Sequence, residues 1–263
     1  MYAFTYERPK TLADASKFVQ AGGQALAGGQ TMLASMKQRL MQPEQLIDLR
    51  DIPELVSIRK DGEQIVIGAM TKHCDVEHNA LVKQHIPALA ALAGGIGDRQ
   101  VRAMGTLGGS VANNDPSACY PSALLALNAT IHTDARTISA QDFFLGMYAT
   151  ALNPGELITA VSFPIPKRAA YAKFKQGASR FAMVGVFVAD TAQGVRVTVT
   201  GASSGVFRHA GLEAALTKSF APESVAGIEV DDTELNSDIH ASASYRAQLI
   251  KVQTRVAVQM ALT

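Results

Sequence analysis

The stretch Gly105–Pro121, GTLGGSVANNDPSACYP, gathers three glycines, two asparagines, an aspartate and two prolines between apolar segments. Gly108 and Gly109 carry no Cβ, so the chain there is free to take positive φ and to lie close against another molecule. Thr106 and Ser110 bracket them with hydroxyls able to donate to an anion. The composition predicts a loop rich in turn formers. A second stretch of the same chemistry, Ala27-Gly28-Gly29-Gln30-Thr31-Met32, lies far upstream. It follows a short apolar run and precedes helical spacing at Met32, Leu33, Met36 and Leu40. Strand, glycine turn, hydroxyl and helix start together place free backbone N–H groups and a positive dipole end at the turn. The alternative reading is a tight turn without a ligand. AGGQ occurs at residue 21 as well, but that copy follows a helical run and reads as a helix stop.

Around these two loops the chain reads as an α+β protein. At 263 residues it is long for a single core, which predicts two or three units: 1–52, 53–166 and 167–263. Thr11 and Asp14 open a helix that Gly22-Gly23 closes. Val56 to Gly68, with Asp61-Gly62 between its halves, predicts a hairpin. Pro164 and Pro166 mark the second border. Beyond it, FAMVGVFVA at 181–189 and VRVTVT at 195–200 predict an antiparallel sheet, with helices over 211–217 and 245–260. Leu249, Val252, Val256 and Met260 form the apolar spacing of the last helix, with Lys251 and Arg255 outward.

Several function classes lose their support. A net charge of +1 provides no field for nucleic acid or anionic membranes. Tryptophan is absent and aromatics are 6%, a poor base-stacking platform. No apolar run reaches the length of a membrane span. The first residues, with a charged pair by position eight, lack a signal-peptide core, so a cytoplasmic location is expected. The two cysteines, Cys74 and Cys119, form no C-x-x-C, and His73 and His78 are five apart without a third ligand, so no metal site is expected. No G-x-G-x-x-G, Walker A, H-E-x-x-H or G-x-S-x-G motif occurs, and no catalytic acid–base cluster is evident.

Five motifs in order resemble the medium, FAD-binding subunit of the molybdenum hydroxylases, the carbon monoxide dehydrogenase and xanthine dehydrogenase type. They are Ala27 to Thr31, Ile67-Gly-Ala-Met-Thr71, Gly105 to Ser110, Asn114-Asp115-Pro116, and Lys173-Phe174 followed by Ala178-Ser179-Arg180. The resemblance runs along nearly the whole chain. It implies the two-subdomain FAD-binding fold of the vanillyl-alcohol oxidase type, followed by a C-terminal α+β domain with an antiparallel sheet.

It also implies that residues 27–32 wrap the FAD pyrophosphate from one side and Thr106, Gly108, Gly109 and Ser110 from the other, with Thr71 and Lys173 as further contacts. Cys119 stands where relatives commonly hold an FAD-contacting aspartate. Either Asp115 compensates or that contact is absent. Tyr120, Tyr171 and Phe181 are the candidates for stacking on the flavin ring.

The implied partners are a large molybdenum-cofactor subunit and a small 2Fe-2S subunit, in a heterotrimer that can dimerise. The implied terminal acceptor is NAD, a quinone or oxygen. Two cysteines are too few for a four-cysteine cluster in this chain. A stand-alone FAD oxidase of the same fold and a cofactor-free assembly subunit are the competing readings.

Overall fold

The computed structural model describes residues 1–263. Three sheets follow one another along the chain. The first is parallel: Gln45–Asp48 lies between Thr5–Glu7 and Gln24–Leu26. Helices Leu12–Gln20 and Met32–Lys37 make its crossovers. Thr11 caps the first of these by accepting from the Asp14 amide at 3.2 Å, as its sequence position predicts. Gly22, at φ +102°, turns the chain out of it. The second crossover helix ends earlier than its spacing suggests, because Arg39 turns left-handed at φ +61°.

The second sheet is antiparallel and has five strands. Its order is Ile58–Asp61, Gln64–Gly68, Ile158–Pro164, Thr130–Thr133 and Thr137–Ser139. Ile65, Ile67, Ile131, Val161 and Phe163 point from it into the largest core. Short helices fill the other side, among them Pro87–Gly94, whose alanines allow tight packing, and Tyr120–Ala126, which is buried throughout. A small hairpin, Phe144–Gly146 with Ala149–Thr150, projects from this layer.

The third sheet is antiparallel: Arg168–Lys175, Ala182–Thr191, Gly194–Thr200 and Phe207–Arg208, in that order. The unbroken apolar run at 182–189 follows from burial on both faces. Val184, Val186 and Val188 face the helix Ala243–Leu262, while Phe187 and Ala189 join the core of the second sheet. From the next strand, three alternate residues reach across the junction. Arg196 donates to the Leu125 carbonyl at 3.1 Å, Thr198 to the Ser122 carbonyl at 2.8 Å, and Thr200 to the Ala118 carbonyl at 2.7 Å.

Two sequence expectations are corrected. The stretch 105–121 is not a continuous loop, since Leu107–Asn113 is an α-helix. Thr106 caps it through the Gly109 amide, and Leu107 and Val111, one turn apart, are both fully buried. Glycines at 108 and 109 weaken the helix locally but permit its close packing.

The last helix also turns a different face inward. Leu249 is buried as its spacing predicts, but Val252, Val256 and Met260 are more than 40% exposed, whereas Arg246, Ile250, Gln253, Thr254 and Ala257 are buried. The reason is Arg246. Its guanidinium donates to the Met183 and Gly201 carbonyls at 2.8 and 3.0 Å and to Asp238 at 2.7 Å. Removing it takes the guanidinium donor away from two carbonyls in a buried setting. Arg246→Met should therefore destabilise the chain by about 2–4 kcal/mol, measured by urea unfolding. A loss under about 0.5 kcal/mol would show that the helix is held by apolar packing alone.

Candidate functional site

The two glycine loops meet. A Cβ on Gly28 would stand 2.7 Å from the Cα of Gly105, and one on Gly109 would stand 3.2 Å from the Cβ of Ala27. The second loop is equally tight against the layer behind it. A Cβ on Gly108 would come within 2.5 Å of the Ala69 Cβ, and one on Gly105 within 2.6 Å of His73 Nε2. These glycines are required by close approach of the backbone, not by chain flexibility.

The loops differ in what their amides do. In the second loop every amide from 107 to 110 is engaged. Leu107 donates to the Thr71 carbonyl (3.0 Å) and Gly108 to the Ala69 carbonyl (2.8 Å). Gly109 donates to Thr106 Oγ1 (3.2 Å) and Ser110 to the Thr106 carbonyl (3.1 Å). The amides of Gly108 and Gly109 are therefore already taken up within the chain. In the first loop none of the amides of Gly28, Gly29, Gln30, Thr31 and Met32 has a protein acceptor. Gly29, at φ +70°, bends this row so that successive N–H groups form the concave nest that suits an anion. The Thr31 and Ser110 hydroxyls make no side-chain cap or donor contact with protein groups. Gln30 folds back to the Gly28 carbonyl at 3.3 Å. Thr106 retains its hydroxyl proton while accepting from Gly109.

The remaining expected residues divide by position. Thr71 is buried, donates to the Ser57 carbonyl at 3.2 Å, and braces the second loop through its own carbonyl. Asp115 is occupied: it accepts from the Ser117 amide at 2.8 Å and from the Tyr148 hydroxyl at 3.2 Å. It makes no ion pair with Lys173. Lys173 Nζ instead donates to the carbonyls of Gly95 (2.6 Å) and Arg180 (3.0 Å) and approaches Cys119 Sγ at 3.5 Å. Of the stacking candidates, Tyr120 and Tyr171 are buried and present no open face, while Phe181 is about half exposed.

His73 is buried and packs behind the second loop. Its amide donates to the Gly105 carbonyl at 3.0 Å, and its ring tilts against Tyr120 at 5.4 Å between centroids. Burial, with the Arg102 guanidinium adding to it, pushes its pKa down to about 4. Asn114, at φ +43°, ends the helix and clasps the projecting hairpin through the Gly146 and Ala149 carbonyls, both at 2.8 Å. The left-handed cap is foreshadowed by asparagine's tolerance of that conformation, whereas the hairpin contact has no local sequence signal.

A row of unpaired amides on one loop, free hydroxyls on both, and glycines that keep the cleft narrow fit a diphosphate-bearing cofactor without a lysine. Residues 2–166 match the family described as the FAD binding domain in molybdopterin dehydrogenase, and the chain belongs to that family. It is 35% identical to the carbon monoxide dehydrogenase medium chain of Afipia carboxidovorans, covering 98% of this chain and 96% of that one. It is 34% identical to the nicotine 6-hydroxylase medium subunit of Paenarthrobacter nicotinovorans, covering 95% and 94%. Among solved structures, reconstituted CO dehydrogenase from Oligotropha carboxidovorans superposes with a TM-score of 0.91 at 31% identity, covering 99% and 98%. Quinoline 2-oxidoreductase from Pseudomonas putida 86 superposes at 0.87 and 28%, covering 99% and 97%. The chain is an oxidoreductase subunit of α+β fold whose cofactor is FAD.

Gly108→Ala should cost about 1–3 kcal/mol of stability by overpacking, while Gly177→Ala, with nothing near its added methyl, should be within about 0.5 kcal/mol of neutral. Chemical denaturation of the two variants compares them directly. His73 sets a pH dependence as well. Its folded pKa lies below the unfolded value, so the unfolded chain takes up the proton first and stability falls as pH drops from about 6.5 towards 4. The loss between pH 7 and 5 should be about 2 kcal/mol. It should be absent from His73→Gln measured by the same urea titrations.

Proposed function

We propose that the chain is the flavin subunit of a heteromeric molybdenum hydroxylase. It collects electrons delivered singly by iron–sulfur clusters of a small partner and passes them to a terminal acceptor. A large partner holding the molybdenum cofactor oxidises the substrate. Relatives named as medium chains support this division of labour, since a medium chain implies larger and smaller companions. FAD supplies chemistry that suits the relay, because it exchanges electrons singly or in pairs. The acceptor is of the NAD, quinone or oxygen class. No helix is long and apolar enough to cross a membrane, and we infer a cytoplasmic location from the sequence. We also infer three structural units, 1–52, 53–166 and 167–263, with the cofactor extended between the first two.

The observation that carries this reading is the row of free amides at 28–32 facing a hydroxyl-bearing loop. In it, Ala27 and Gly28 set the spacing between the loops, and the amides of Gly28 to Met32 with the Thr31 hydroxyl hold the pyrophosphate. Ser110 and Thr106 add hydroxyls from the opposite side. Gly108, Gly109 and Thr71 act from behind by keeping that loop in place, and Lys173 and Asp115 line the continuation of the cleft. These residues bind and orient; none is assigned a proton-transfer step.

The purified chain, alone or in complex, should be yellow and carry one FAD. Thr31→Ala and Ser110→Ala each remove one charge-assisted hydrogen bond, worth about 1.5–3 kcal/mol, and should weaken FAD binding by about 10- to 100-fold without lowering Tm of the apoprotein. Calorimetric titration of apoprotein with FAD measures this. Folded wild-type protein that takes up no FAD on reconstitution would contradict the proposal.

A further inference from the structure

The apolar spacing of the last helix is left largely unpacked by the chain's own fold. On Ala243–Leu262, the side chains of Tyr245, Val252, Val256 and Met260 are all more than 40% exposed. At about 100° per residue they share an arc of about 80° and form a stripe about 22 Å long. Phe174 extends the stripe onto the outer strand of the third sheet, standing edge-on to Tyr245 with 6.3 Å between ring centroids. Valine loses side-chain freedom in a helix, and at these two positions burial within the chain does not offset that loss. Lys251 and Arg255 stand one turn apart beside the stripe, a like-charge spacing that weakens a helix. Neither of them forms an ion pair, nor does Lys175 next to Phe174. No aspartate or glutamate occurs from Ile239 to Thr263.

A contiguous apolar stripe rimmed by charge of one sign is the pattern of a protein interface. Exposed valines and unpaired cations both cost stability in the free chain. Both become favourable against an apolar surface edged with carboxylates. A second copy of this helix is the wrong complement, because a two-fold pairing would bring the two sets of cations together. We propose that this face docks a partner subunit of the complex, through an apolar groove on that partner rimmed by aspartate and glutamate. A stripe of this length fits within one side of a standard interface, about 800 Å². This inference rests on the reading of the chain as one subunit of a heteromeric complex. None of the stripe residues belongs to the glycine-loop cleft, so the face can be altered without touching the cofactor site.

The test purifies the tagged full chain as its native complex and counts molybdenum and iron per FAD. Wild type should carry both metals. The double variants Val252→Glu with Val256→Glu and Lys251→Glu with Arg255→Glu should each lower at least one metal per FAD by about tenfold or more. The metal lost identifies the partner. FAD per chain and Tm should stay at the wild-type values, and Ile239→Glu, an exposed apolar site off the stripe, should keep both metals. If the valine variant does not fold, the charge-reversed variant decides alone. Both metals retained in the folded, FAD-loaded double variants would overturn the inference. So would a wild-type chain that forms a dimer by itself and becomes a monomer in the valine variant, since a second copy then covers the face. Binding of wild type to phosphatidylserine vesicles that both double variants lose would overturn it as well, by making the face a membrane contact. Wild-type chain that carries FAD but neither metal overturns the heteromeric reading, and this inference with it.

Discussion

Gly28 packs its α-carbon against the backbone of Met104 and Gly105, and Gly108 packs against Ala69 on the strand layer behind. A methyl at any of these positions would overlap atoms that have no room to retreat. Close backbone contact at these glycines adds to the side-chain packing that joins the parallel sheet, the five-stranded sheet and the helix Leu107–Asn113. Such contact leaves little slack, because a shift of one loop is a shift of the other.

The C-terminal sheet holds the same stretch from the third side. Thr198 and Thr200 bind the carbonyls of Ser122, Ala118 and Pro116, and Lys173 reaches Cys119. The segment 105–122 thus touches all three sheets of the molecule or their covering elements. Its amides at 107–110 are taken up by this scaffold, so the loop works as a rigid wall. The facing loop, 28–32, keeps its amides free. The amides of one loop are taken up within the chain and those of the other are not.

Much of this was legible in the residues. The capping Thr11, the Asp61-Gly62 turn, and the double-faced apolar run at 182–189 act locally, and local signals survive in sequence. The Ala27–Thr31 loop was legible for the same reason, being a strand, a glycine turn and a helix start in succession. The helix at 107–113 was masked by Gly108 and Gly109, whose intrinsic preference argues against a helix and whose actual reason is contact with Ala69 and Ala27. The different fates of the two sets of glycine amides were invisible, since acceptors such as the Thr71 and Ala69 carbonyls lie some 36 and 39 residues away. The inward face of the last helix was not legible from the spacing of Leu249, Val252, Val256 and Met260, because the buried Arg246 satisfies carbonyls from another element. The Cys119–Lys173 contact spans two sheet layers and has no sequence signature at all.

The central claim is that one loop donates and the other supports. Residue-resolved amide hydrogen exchange of the full chain, with and without FAD, tests it most directly. The amides of 28–32 should exchange rapidly in the apoprotein and become protected when FAD binds, while those of 107–110 should be protected in both states. Amides at 28–32 that ignore FAD, with protection appearing at 107–110 instead, would contradict the account.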